Sequence, residues 1–288
     1  MQLLQWLRYN GCEWNHETCV AAAQYGHFEL LKWARSQGCP HSFAVSGNAA
    51  KNGDIEMLKW LKTDNCPFNY RVMDEAADAG HLDVLKWAKD NGCPATNYAM
   101  VSAAHRGRLE IVEYLYSIGC PWNTSVCEAA SNGHFEVLQF LRNKGCPWDE
   151  NSMKIAIQAG HFEIFQYTFE NECPKYHKIY QLAAKYGRLN VLKYMKERGY
   201  SWKKEERPLT FAAMEGRLNI VAWLMENGCA WDKAVCQIAV TQENVELLQW
   251  AKDNQFITLE EAFSCMTESS ATVLNWLKKN NFEPTNVK

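Results

Sequence analysis

Apolar positions return along the chain in short bursts at helical spacing. Phe28, Leu30, Leu31 and Trp33 form one burst, and Phe135, Val137, Leu138 and Phe140 repeat it a hundred-odd residues later. Intervals of three and four residues gather such side chains on one face of a helix. Glu29 with Lys32, and Asp83 with Lys86, fall on the remaining face, where they can make weak solvent-exposed pairs. Ahead of each burst runs a second short stretch rich in alanine, "CVAAAQY" at 19–25 being typical. No window alternates Val, Ile and Thr with polar residues, so the pattern predicts helices and no strands.

Glycine punctuates these segments. The Gly of "AAxxG" falls at 26, 53, 80, 107, 133, 160, 187 and 216, in steps of 27, 27, 27, 26, 27, 27 and 29. A second Gly follows twelve residues later at 38, 92, 119, 145, 199 and 228, with Gly11 as its earliest copy. The two slots hold 15 of the 16 glycines, and only Gly47 stands elsewhere. Glycine adopts the left-handed conformation just past a helix end at little cost. Two such stops per repeat predict two short helices per repeat. Two further copies lack the first Gly, at Glu243 and Ser269.

Seven residues after the first Gly stands an aromatic residue in every copy, from Trp33, Trp60 and Trp87 through Tyr194 to Trp250 and Trp276, with Trp6 in a partial first copy. A helix pair cannot bury its apolar stripe alone, so copies must stack, and the aromatic column reads as core between neighbours. On that reading Trp87, inside the array, costs more to replace than Trp276 near its end. The whole chain reads as one solenoid: a partial repeat at 1–15, about eight repeats at 16–233, and degenerate repeats at 234–288. Met1 aligns with Phe28, inside a second helix whose partner is absent, which fits either a piece of a longer protein or an eroded half-repeat serving as a cap.

The segments "RPLTFAAMEG" (207–216), "AASNGHFEVL" (129–138) and "GCPWN" (119–123) resemble the ankyrin repeat, whose pattern runs "TPLH-LAA-xxGH-LEVV-xLLL-xxGADVN". The resemblance covers nearly the whole chain. It implies an all-α solenoid of stacked helix–turn–helix units whose common role is to bind other proteins. The family repeat is 33 residues and this one mostly 27; the missing six fall where the family places a projecting β-hairpin, so short loops are expected instead. The Cys-Pro-Trp ending resembles a variety common in giant DNA viruses of amoebae and some protists.

Composition narrows the function classes. The 288 residues are 47% hydrophobic and 22% charged, with net charge −3, and no apolar run reaches the length of a membrane span. The acidic balance argues against a general nucleic-acid binder. Eight of the twelve cysteines occupy one slot, from Cys12 and Cys39 to Cys229. Equivalent residues of stacked helices lie roughly 8–10 Å apart, beyond disulfide reach. The column reads as small buried residues, free thiols that suit the cytoplasm. The spacings Cys12/Cys19, Cys120/Cys127 and Cys229/Cys236 read as packing, and no C-x-x-C pair points to zinc. His27, His81, His134 and His161 share the slot after the Gly with Arg108, Arg188, Arg217 and Asp54, which reads as helix-junction structure. No nucleophile elbow, phosphate loop or zinc-protease motif is present, so no enzyme, cofactor or small-molecule substrate is expected.

Binding is then expected in slots that vary. Residues one, two and six before the first Gly change freely and read as facing away from the packed Ala pair, on the helix that lines the concave face in ankyrin arrays. Two clusters stand out there: the acidic Asp74, Glu75 and Asp78, and, one repeat on, His105, Arg106 and Arg108. Lys185 and Tyr186 make a smaller third. The chain thus reads as a non-enzymatic interaction scaffold for an unidentified protein. The alternatives are a substrate-recruiting adaptor piece of a larger protein or, against its charge, a nucleic-acid binder.

Overall fold

A computed structural model describes residues 2–13, 15–125, 129, 132–266 and 270–282. Met1, Cys127, Ser131 and Ser269, each given a slot above, lie outside the described residues. Among the described residues there are twenty α-helices and no strand. No hairpin occupies the described loops, in line with the shortened repeat. The chain forms two compact units, residues 1–148 and 149–288.

In the first unit Gln2–Tyr9 is followed by the pairs His16–Gln24 with Phe28–Ser36, Phe43–Lys51 with Ile55–Thr63, Arg71–Ala79 with Leu82–Asp90, and Asn97–His105 with Leu109–Ser117, then by Phe135–Asn143. In the second, Glu150–Ala159 pairs with Phe162–Glu170, Ile179–Lys185 with Leu189–Glu197, and Pro208–Met214 with Leu218–Glu226. Lys233–Thr241 with Val245–Asp253 and Leu259–Ser264 with Ala271–Lys279 continue the pattern through the degenerate region. Within each unit the described neighbouring first helices pack on one another, and those from His16–Gln24 to Asn97–His105 and from Glu150–Ala159 to Lys233–Thr241 each pack on their own second helix. The Ala pairs are sealed at 0–1% exposure, as at Ala22 and Ala23 or Ala76 and Ala77. Small side chains let the first helices approach, and Leu31, Leu58, Leu85, Leu115 and Leu138 fill the space behind them.

Five of the short loops supply the next helix with a side-chain cap. Asn15, Ser42, Thr96, Asp149 and Asp232 accept a backbone N–H through their side chains at the first helix. The cysteine column is tied to these same residues. The thiols of Cys39, Cys120 and Cys173 donate to the carbonyls of Asn15, Thr96 and Asp149, at 3.3, 3.0 and 3.1 Å. The slot therefore holds a small residue with a weak donor, which the family's alanine lacks. The eleven described cysteines are free thiols. Burial pushes Cys66 up to about 12 and Cys120 up to about 11. The sulfurs of Cys19 and Cys39, a pairing the spacing did not single out, lie 2.8 Å apart.

The glycine slots are left-handed whether or not they hold glycine. Asn65, Glu172, Gln255 and Asn281 stand in the second slot at φ of 55, 60, 62 and 60°, and Glu243 in the first at 54°. The backbone stop survives loss of the residue that adopts it most cheaply. At Glu243 the carboxylate offsets part of the cost by accepting from Ser270 Oγ at 2.8 Å and Thr272 Oγ1 at 2.6 Å.

The aromatic column departs from the core reading. Trp33, Trp60, Trp87, Tyr114, Phe140 and Trp223 are half-buried, and only Tyr194 and Trp276, 5% and 4% exposed, are sealed. The rings cover a seam along the second helices, with Trp60 edge-on to Phe28 at 5.6 Å and Tyr194 edge-on to Phe162 at 5.7 Å. Trp6 is 61% exposed and has no such cover among the described residues. Trp276 also donates its indole N–H to Gln249 Oε1 at 2.8 Å. Burial therefore favours the opposite order to place in the array, with Trp276 the costlier of the two to replace.

Candidate functional site

The C-terminal ends of the first helices are stitched to one another. The residue just after the first Gly reaches back over the preceding repeat's Gly to the carbonyl two residues before it. His81 Nε2 meets Lys51 O at 3.0 Å, His134 Nε2 meets His105 O at 3.1 Å, and Arg108 donates twice to Asp78 O, at 3.2 and 3.0 Å. In the second unit Arg188 reaches Ile157 O and Gln158 O in the same way. These carbonyls end a helix and have no intrahelical partner, so a nitrogen donor there satisfies them. His and Arg alternate in the slot because either supplies the donor. The junction reading of this column is what the geometry shows.

A second stitch uses the side chains one and two residues before the Gly. Asn52 donates to Gln24 O at 3.1 Å and Gln242 to Met214 O at 2.8 Å. Arg106 meets the Asp78 carboxylate at 2.9 and 3.4 Å, Asn132 meets His105 Nδ1 at 2.9 Å, and Gln158 meets Tyr186 Oη at 3.3 Å. Both variable slots thus hold partners of each other, one repeat apart.

The sequence-derived residues take their places on this frame. Asp78 and Arg106 form an ion pair. Their opposite charges offset each other across the repeat boundary. Arg108 is committed to the Asp78 carbonyl, and His105 to Asn132 and His134. Tyr186 meets Gln158, and Lys185 lies 5.7 Å from the Tyr186 ring. Glu75 faces Lys51 at 3.7 Å.

Asp74 departs most from its expected position. It is 6% exposed, and Thr96 Oγ1 donates to its carboxylate at 2.7 Å. Burial raises its proton affinity above the ordinary carboxylate range, and the Thr96 hydrogen bond opposes that rise. The slot six before the Gly points toward the next repeat's capping residue. Thr210 and Asp232 make the same link with donor and acceptor exchanged, at 3.2 Å. Gly47 occupies this slot too, where an added Cβ would stand 3.4 Å from Arg71 Cβ.

What remains open is the other end of the first helices. Tyr70, Arg71, Asp74, Glu75, Thr96 and Tyr98 line a recess of about 500 Å³. Tyr70 and Tyr98 are 47% and 60% exposed, and Phe43, one repeat earlier at the position of Tyr70, is 46% exposed. Sequence reasoning missed this row. Its signal, an aromatic residue nine or ten positions before the Gly in three consecutive repeats, was present but brief. His16 and Glu150 fill the slot elsewhere. Among the described residues no group of three or more His, Cys, Asp or Glu is placed to hold a metal ion, and no helix is long and apolar enough to cross a membrane. The recess offers rings, one guanidinium and carboxylates held by neighbours, an assembly suited to contact.

A family model for ankyrin repeats, in its three-copy form, matches residues 46–151 and 153–235. The crystal structure of the human ASB11 ankyrin repeat domain is similar at a TM-score of 0.50 and 18% identity, covering 58% of this chain and 90% of that one. At that identity the likeness concerns the fold. No curated protein matches.

Proposed function

The chain belongs to the ankyrin-repeat family, and from that premise we propose that it is a non-enzymatic scaffold that binds another protein through the open ends of its first helices between residues 43 and 98. The observation that carries this reading is the exposed row Phe43, Tyr70 and Tyr98 on consecutive repeats. Aromatic and Arg side chains are enriched among the residues that dominate interface energetics, the rings because they desolvate a large area with few rotors and Arg because its planar fork makes several hydrogen bonds. The rings and Arg71 stand at the starts of packed helices, so little backbone ordering entropy is lost when a partner docks. The mixed charges of Glu75, Lys51, Asp78 and Arg106 then serve as a polar rim.

A photo-crosslinking residue placed at 70 or 98 should capture a partner from native extract, and the same residue at 246, on a second helix, should not. Tyr70→Ala with Tyr98→Ala should abolish capture by a crosslinker at 43 while leaving the helical circular dichroism intact. Equal capture at 246, or full capture by the double variant, refutes the assignment.

A further inference from the structure

The second unit carries a recess of different chemistry at one irregular loop. The step from Gly187 to Gly216 is 29 residues, longer than any other step between the first-slot glycines. The extra length forms a short 3₁₀ turn, Lys204–Glu206, before Pro208–Met214. Glu206 is 6% exposed and accepts the Lys203 N–H at 2.7 Å, which fixes the turn. Arg207 follows at φ 45° and ψ 49°, a left-handed conformation for a side-chain-bearing residue immediately before proline. Such a conformation persists where the surroundings hold it. Here it aims the guanidinium at Asp232 Oδ2, 2.9 Å away.

Beside this turn lies a cavity of about 730 Å³, within the range that holds ligands. Its walls include Trp202 and Trp231, from successive loops, with Lys203, Arg207, Asp232 and Lys233. Both indoles are braced from behind: Trp202 edge-on against Tyr180 at 5.4 Å, and Trp231 stacked on Phe256 at 5.3 Å. Three cations face one carboxylate in a chain whose net charge is −3. That carboxylate already accepts from Arg207 and Thr210, which hold it ionised below the ordinary carboxylate range. Lys203 and Lys233 are exposed at the rim.

We propose that this cavity binds a short acidic peptide segment, with one apolar side chain between Trp202 and Trp231 and flanking carboxylates on Lys203, Lys233 and Arg207. A local excess of positive charge beside rigid rings selects an anion with an apolar body, and braced indoles lose little freedom on contact. The site is independent of the Tyr70 and Tyr98 face, and either can fail without the other.

The test is a titration of isotope-labelled full-length chain, read at the indole N–H resonances of Trp202 and Trp231. The probes are the capped pentapeptide Glu-Glu-Phe-Glu-Glu, its Gln-Gln-Phe-Gln-Gln counterpart, and adenosine monophosphate. The acidic peptide should shift both resonances saturably, at least about tenfold more tightly than the neutral one, and more weakly as salt rises. Lys203→Glu with Lys233→Glu, both exposed changes, should remove the response and leave the fold intact. No response, equal response to the neutral peptide, or response surviving the double change overturns the proposal. Tighter binding of the nucleotide overturns it in favour of a small aromatic anion.

Discussion

Gly80→Ala tests the stitch by direct comparison with Gly92→Ala. Both glycines have positive φ, at 95° and 76°, so both substitutions carry a backbone penalty of the same kind. That penalty is about 1–2 kcal/mol, reduced by roughly 0.4–1 kcal/mol because alanine also restricts the unfolded chain. The two sites differ in what a Cβ would meet. At Gly92 nothing lies within 4 Å; at Gly80 the new carbon would overlap Arg108 Nη1 and stand 2.5 Å from its Cζ. The guanidinium must leave, and its two hydrogen bonds to Asp78 O go with it. A hydrogen bond from a charged donor contributes about 1.5–3 kcal/mol, and the half-buried setting places the loss toward the lower end. Gly92→Ala should therefore cost about 1 kcal/mol and Gly80→Ala roughly 2.5–3 kcal/mol. Urea melts followed by fluorescence measure the difference, with amide exchange at Arg71–Ala79 to localise it. In an Arg108→Ala background the excess at Gly80 should vanish. Equal costs in the native background, or an excess that survives removal of Arg108, would refute the reasoning.

Trp276→Ala should cost about 3–5 kcal/mol and Trp87→Ala less, since only the former ring is sealed and hydrogen-bonded; denaturant melts rank them. Asn65→Gly and Gln255→Gly should each stabilise by roughly 1 kcal/mol by relieving a left-handed side-chain residue, whereas Glu243→Gly should gain less because it forfeits the contacts to Ser270 and Thr272. Asp74 binds its proton more tightly folded than unfolded, so wild-type stability falls as pH rises from the ordinary carboxylate value through the raised one. Asp74→Asn should flatten that fall, matching or exceeding the wild-type melting temperature at neutral pH and losing its advantage on acidification. Of the described thiols, exposed Cys12 should react fastest with a thiol reagent in native buffer, while Cys66 and Cys120, held at about 12 and about 11, should wait for unfolding.

The helix pairs were legible because they are written in residue types that return at fixed intervals, glycine at the stops and alanine at the contacts. The stitches were not, although their spacing is as regular. Arg106 with Asp78, Asn132 with His105, and Tyr186 with Gln158 join the same two slots, 28, 27 and 28 residues apart, and share no chemistry, so the slots look variable when each is read alone. Variation was mistaken for freedom. Asp74 misled for a related reason: its partner, the Thr96 hydroxyl, serves the next helix as a cap and donates its proton backward as well, a double duty a motif cannot display. The aromatic column failed by degree, since periodicity locates a seam without saying how deeply it lies.

The two kinds of stitch set different rules for exchanging repeats. Where the acceptor is a main-chain oxygen, as for His81 on Lys51 or Arg108 on Asp78, the fastening is interchangeable, because every residue at that place offers the same carbonyl. Where the acceptor is a side chain, as for Arg106 on Asp78, the fastening is keyed to its mate. A duplication or recombination that splices one repeat beside a stranger would keep the first kind and break the second. New neighbours would join at once, but only loosely, until a substitution recut the key. An array built this way can lengthen quickly and settle its order slowly.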